Sequence, residues 1–154
     1  MHKYTENRLM GFTPEQVFNV VADVERYHEF LPGWLAARIV ERNDNQLIVD
    51  QVVGLAAFRL EFISHATLER PDHIQIIARD GPFRLLDIDW HLEPASPSGC
   101  LARLKVEFEL SSSLLERLLV MLFHITLRQI LTAFEKRARR LYGSHSSAGR
   151  SSAV

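Results

Sequence analysis

The sequence predicts an α+β fold. A curved antiparallel sheet of about six to seven strands packs on one long C-terminal helix, with two short helices after the first strand. Two observations carry this reading. From Ala37 to Leu110 apolar residues recur mostly with period two, the mark of strands with one buried and one wet face. From Leu114 to Leu141 the period becomes helical. A sheet with one wet face must bury the other, and the long helix is the largest available cover.

The elements follow in order. Met1 to Met10 reads as a first strand with weak alternation. Thr13 then suits an N-cap, Pro14 the first helical position, and Gln16 completes a capping box. Val17, Phe18, Val20 and Val21 give this short helix its apolar face. Tyr27, Phe30 and Leu31 recur at helical spacing until Pro32-Gly33 stops a second one. ARIVERN and QLIVDQVV flank Asn43-Asp44-Asn45 as a hairpin. In AFRLEFISHATLE, residues Phe58, Leu60, Phe62, Ser64, Ala66 and Leu68 share one face. HIQIIARD is the next strand, and Gly81-Pro82 breaks it. FRLLDIDWHLEP sets Leu86, Ile88, Trp90 and Leu92 against Asp87, Asp89 and His91. CLARLKVEFEL sets Ala102, Leu104, Val106, Phe108 and Leu110 against Arg103, Lys105, Glu107 and Glu109.

The long helix opens on Ser113-Leu114-Leu115-Glu116, which reads as a capping box. Gly143 stands where a terminating glycine would, and Lys136, Arg137, Arg139 and Arg140 suit the negative end of the helix dipole. At 100° per residue, Leu119, Phe123, Leu127, Ile130, Phe134, Ala138 and Leu141 form the inward side. Leu114, Leu118, Met121 and Ile125 form a surplus apolar face on the opposite side. It lies in line with the charged back of the second half. Neighbouring loops, a second subunit, a lipid surface or a partner would each cover it.

A chain of 154 residues fits one domain with a sizeable core. A net charge of −1 leaves no electrostatic footprint for nucleic acid over the whole molecule. The lone Cys100 cannot form an internal disulfide, which fits a reducing compartment. No segment reaches the roughly 20 apolar residues of a spanning helix. The N-terminus lacks a signal or transit pattern, so the cytoplasm is expected. The small polar residues 144–154 are expected to form a disordered tail. Asp87, Asp89 and His91 lie on the wet face and read as solvated charges, with no convergent metal ligands to assign. The basic run KRARR reads as a solvated helix end that could touch RNA or anionic lipid. No catalytic constellation and no metal site emerges.

Together the motifs have a familiar pattern. The order of elements resembles the START-like helix-grip fold. Within it, the chain resembles the ubiquinone-binding family of the polyketide cyclase/dehydrase superfamily, whose bacterial members include the RatA-type ribosome-association toxins. The matching residues include Pro14, Val17-Phe18, Asp23-Val24, Tyr27, Phe30 and Pro32, then Val53-Gly54 and Phe62 with Ser64. More specific are Gly81-Pro82-Phe83 with Leu86, Trp90 and Pro94, and Ala133-Phe134-Glu135 with Arg137-Ala138 and Leu141-Tyr142-Gly143. The pattern spans residues 1–143 as one START-like lipid-binding domain. It departs from the family where Gly33 separates Pro32 from Trp34, where Leu35 replaces a common Cys, and where Leu55 replaces a Phe.

The resemblance implies a carrier rather than an enzyme, with no catalytic cofactor and with ubiquinone or another polyprenyl lipid as bound ligand. It also implies an alternative, a toxin-like regulator bound to the large ribosomal subunit. A cyclase-like enzyme would need a titratable group inside the cavity. The ligand is expected between sheet and helix, against Trp34, Phe58, Leu60, Phe62, Phe83, Leu86, Trp90, Leu104, Leu119, Leu122, Phe123 and Thr126. Thr126 would be the polar handle. Leu114, Leu118, Met121 and Ile125 would shelter the tail or touch the cytoplasmic membrane surface.

Overall fold

Seven antiparallel strands in the spatial order first, seventh, sixth, fifth, fourth, third, second form the frame of the computed structural model. The structure describes residues 1–55 and 57–143, with the side chains of 122–126 outside that description. The expected tail therefore lies outside the described residues. In chain order the elements are β1 (His2–Met10), α1 (Pro14–Ala22), a 3₁₀ helix (Val24–Glu29), β2 (Trp34–Asn43), β3 (Gln46–Leu55), β4 (Phe58–Glu69), β5 (His73–Ala78), β6 (Phe83–Ala95), β7 (Gly99–Leu110), α2 (Ser113–Ala138) and a π turn (Arg139–Gly143). This is the helix-grip, START-like α+β architecture that the sequence predicts.

β1 explains its own weak alternation. Three of its helix-facing positions are polar because they meet α2, while Tyr4 and Met10 of the same row pack on the core. His2 Nε2 lies 2.8 Å from Glu116, Glu6 lies 3.5 Å from Arg128, and Arg8 lies 3.4 Å from Glu135. Arg8 also donates to Thr132 Oγ1 at 2.7 Å. Glu116 thus turns to the His2 ring and is not half of a capping box. The N-cap is Ser112, one residue earlier than expected, whose hydroxyl accepts from the Leu115 N–H. The box at Thr13 and Gln16 is present in both directions.

The far end of α2 also departs from expectation. Gly143 does not terminate it as a C′ residue. The helix runs into a π turn, and Gly143 is buried within that turn. The wider turn shifts the register of the final residues. Leu141, expected inside, is 49% exposed.

Two irregularities in the sheet aim side chains. A register shift in β6 between Phe83 and Leu85 turns Phe83 to the same buried side as Leu86. Gly81, at φ +61, makes the turn before it, where a Cβ would run into the Glu61 carbonyl. β2 carries shifts at Leu35 and at Val40. Helix α2 packs on β1, β7 and α1, and Leu127, Leu131, Phe134 and Ala138 are its buried residues. Those contacts hold it at one edge of the sheet.

Candidate functional site: an apolar cavity under the helix

A cavity of about 310 Å³ lies between the sheet and α2. Its floor is the inward row of β3, β4, β6 and β7, including Val49, Leu60, Phe62, Leu86, Trp90 and Leu104. These positions face inward because strand side chains alternate, and here the inward set is almost wholly apolar. Leu119, Leu127, Ile130 and Phe134 of α2 form the roof. Exposed lining residues Pro32, Gly33 and Gln129 mark the mouth. Gly33, at φ +85, accepts at its carbonyl from the Gly54 N–H at 2.8 Å and ties the rim together.

Edge-to-face aromatic pairs brace the walls. The Phe134 ring lies 5.5 Å from Tyr27, 5.4 Å from Phe30 and 5.1 Å from Trp90. Phe62 and Phe83 meet at 5.0 Å. No described lining residue carries a formal charge. Tyr27 is the one titratable group among them, and its hydroxyl donates to the Val21 carbonyl. Burial, reinforced by Asp23, holds this phenol well above its usual range, so it stays neutral.

One polar chain crosses this apolar wall. Trp34 Nε1 donates to Gln51 Oε1 at 2.9 Å, and Gln51 Nε2 donates to Ser64 Oγ at 2.6 Å. The Gln51 amide orientation follows from chemistry, because an indole N–H can only donate. Gln51 is 5% exposed and Ser64 is fully buried.

Of the residues expected to line the site, Trp34, Leu60, Phe62, Phe83, Leu86, Trp90, Leu104 and Leu119 do face this cavity. Phe58 does not. It stands 40% exposed at the tip of β4, beyond the end of the floor. Leu122, Phe123 and Thr126 lie outside the described side chains. The sequence reading gives no role to Gln51, which sits at an inward β3 position between the apolar Val49 and Val53. On the surplus face, Leu114 and Met121 are 60% and 76% exposed, while Leu118 is half-buried. Ile125 lies outside the described side chains.

Beside the mouth runs a second groove, lined by Phe30, Pro32, Gln129 and four cations: Arg128, Lys136, Arg137 and Arg140. Arg137 is engaged with Glu29 at 3.1 Å and with the Phe30 ring at 5.2 Å. Hydrogen bonding from Arg26, with help from Arg137, holds the Glu29 carboxyl below its usual range. On the opposite, outer face of the sheet, His73 Nε2 lies 2.6 Å from Asp89, and the His73 and His91 rings stack at 4.4 Å. Asp89 is therefore less solvated than the sequence suggests, while His91 stays exposed as expected. His73 was missed because it joins them only through cross-strand pairing with His91.

Comparison with known proteins follows the same lines. Residues 10–135 match the family model described as polyketide cyclase / dehydrase and lipid transport. The chain is 31% identical over 143 residues to the ribosome association toxin RatA of Vibrio cholerae, covering 93% of this chain and 99% of that one. It is 28% identical over 145 residues to the mitochondrial coenzyme Q-binding protein COQ10 homolog B of Xenopus laevis, covering 92% of this chain and 59% of that one. The Zhui aromatase/cyclase of a Streptomyces species shares the fold, with a TM-score of 0.83 at 16% identity over 93% of this chain and 97% of that one. An apolar cavity gripped between an antiparallel sheet and a C-terminal helix, and a family match across most of its length, make this chain a member of the polyketide cyclase/dehydrase and lipid transport family.

Proposed function

We propose that this protein binds ubiquinone or a related polyprenyl lipid in the cavity and carries it, without chemistry, in support of respiration. The uncharged apolar cavity is the observation that carries the reading. Its volume of about 310 Å³ is at the low end for small-molecule sites, roughly 300–1,000 Å³. A quinone ring and the start of its tail fit that space, and the rest of a long tail leaves through the mouth. Coenzyme Q binding by the Xenopus relative supports the ligand class. Leu114 and Met121, with Leu118 and Ile125, would meet the cytoplasmic membrane surface, and the groove cations would meet its anionic head groups. No described helix is long and apolar enough to cross a membrane, so the proposed contact is peripheral.

Organic extraction of gently purified protein, followed by mass spectrometry, is expected to release a quinone. Added ubiquinone should quench Trp34 and Trp90 fluorescence and raise the melting temperature. If no quinone copurifies and neither signal moves, the reading fails.

A second reading is favoured by the groove of Arg128, Lys136, Arg137 and Arg140 and by the name of the Vibrio relative: a regulator bound to the large ribosomal subunit. It requires comigration with that subunit on sucrose gradients and steep loss of binding with salt. A cyclase-like enzyme, suggested by the Streptomyces neighbour's fold alone, would need an acid or base at the cavity, and Tyr27 is held neutral and bonded.

A further inference from the structure

We propose that Gln51 and Ser64 form the head-group anchor of the cavity, and that they select a neutral lipid whose head carries a hydrogen-bond-accepting carbonyl oxygen. The inference rests on the lipid-binding reading above and deepens it.

Trp34, Gln51 and Ser64 form a diagonal row across three strands. Trp34 is paired with Val53 of β3, Gln51 with Phe62 of β4, and Val49 with Ser64. Each polar residue is thus two positions along from its neighbour's partner, within reach on one sheet face. Because Trp34 can only donate, each link of the chain runs one way: indole N–H to amide oxygen, amide N–H to hydroxyl oxygen. That uses the Ser64 oxygen as acceptor and leaves its hydroxyl proton to donate. One Gln51 amide proton is left over as well. Neither has an acceptor among the described residues. The row therefore ends in donors beside the cavity, with the Gln51 amide at its surface and the Ser64 hydroxyl, which has no exposed surface, directly behind it.

Stability alone does not account for the pair. Replacing both partners of a buried hydrogen bond by apolar groups of similar shape is close to neutral. The neighbouring inward positions Val49, Val53, Leu60, Phe62 and Ala66 are apolar. A donor pair in such a wall gains from an occupant that brings an acceptor. A carboxylate or phosphate head would bury a charge with no cation among the described lining residues, which is costly. A neutral carbonyl meets the donors without that penalty, and the carbonyls of a quinone ring are of this kind.

The test compares wild type, Ser64→Ala and Gln51→Leu for binding a short-tailed ubiquinone, squalene as a head-less polyprenyl hydrocarbon, and oleate, read by tryptophan quenching. The expected result is that Ser64→Ala weakens ubiquinone binding roughly three- to tenfold and leaves squalene unchanged, the scale of one lost neutral hydrogen bond. Oleate should bind more weakly than ubiquinone. The infrared carbonyl band of bound ubiquinone should lie below its position in hexane and return toward it in Ser64→Ala, a readout independent of any loss of stability. Ubiquinone binding with an unchanged carbonyl band and equal affinity in Ser64→Ala would overturn the anchor while leaving the carrier intact. Oleate binding as tight as ubiquinone would overturn the selection for neutral heads. If wild type binds neither ubiquinone nor squalene, the lipid-binding reading itself falls, and the anchor with it.

Discussion

Cys100 shows what burial does to a single reactive group. It is fully buried on β7, paired across the sheet with Met10 on one side and Pro94 on the other. Burial pushes its thiol up to about 11 from an ordinary 9.0. The folded state therefore favours the neutral thiol. Its contribution to stability is whole below pH 9 and is lost as pH rises toward 11, while the unfolded chain ionises first. Urea melts at these two pH values should show a fall in stability that is smaller in Cys100→Ala. The native thiol should resist a disulfide reagent at neutral pH and react promptly once unfolded. Ser64 and Gln51 make the complementary case. Ser64 was legible as inward-facing from strand parity, but parity does not tell a polar group that satisfies a neighbour from one that awaits a ligand. Only the direction of the Trp34 hydrogen bond decides that.

At the scale of elements, the start of α2 separates two readings that differ by one residue. The sequence reading takes Ser113 as the cap because Glu116 stands three residues on. In the fold Glu116 turns to His2, and Ser112 accepts from Leu115. Ser112→Ala is expected to cost about 1 kcal/mol and Ser113→Ala less than about 0.5 kcal/mol in urea unfolding, since only the cap loses a partnered backbone donor. The reverse order would restore the capping box at Ser113. The same tertiary pull explains β1, whose polar inward row looked like a poor strand because its partners lie more than a hundred residues away on α2. It also explains Phe83, three residues from Leu86 yet on the same side, because a bulge lies between them.

For the whole molecule, the arrangement of the outer face of α2 matters most. Leu114 and Met121 stand exposed on its first half, and the cations of the groove flank its second half beside the cavity mouth. If that surface docks on an anionic bilayer, Leu114→Glu combined with Met121→Glu should abolish most binding to phosphatidylserine vesicles without lowering the melting temperature. Reversing Lys136 and Arg140 should weaken it by roughly fivefold or more per charge, at about 1 kcal/mol for each cation near an anionic surface. Vesicle flotation measures both. If the charge reversals abolish ribosome comigration while vesicle binding persists, the groove serves RNA instead.

Spacing and local residue chemistry settled the order of elements, the inward face of most strands and the capping of α1, and the motifs carried the family resemblance. These depend on residues near one another in the chain, where spacing and backbone geometry leave few choices. Whether the inward rows close into solid core or stand apart around a cavity was decided only in three dimensions. Helix α2 is held at the β1–β7 edge by its packing on β1, β7 and α1 and by ion pairs to β1, and that leaves space over the inward rows of β3, β4 and β6. The gap depends on sheet curvature, on bulges and on contacts between distant segments, none of which a repeat of two or of 3.6 residues encodes.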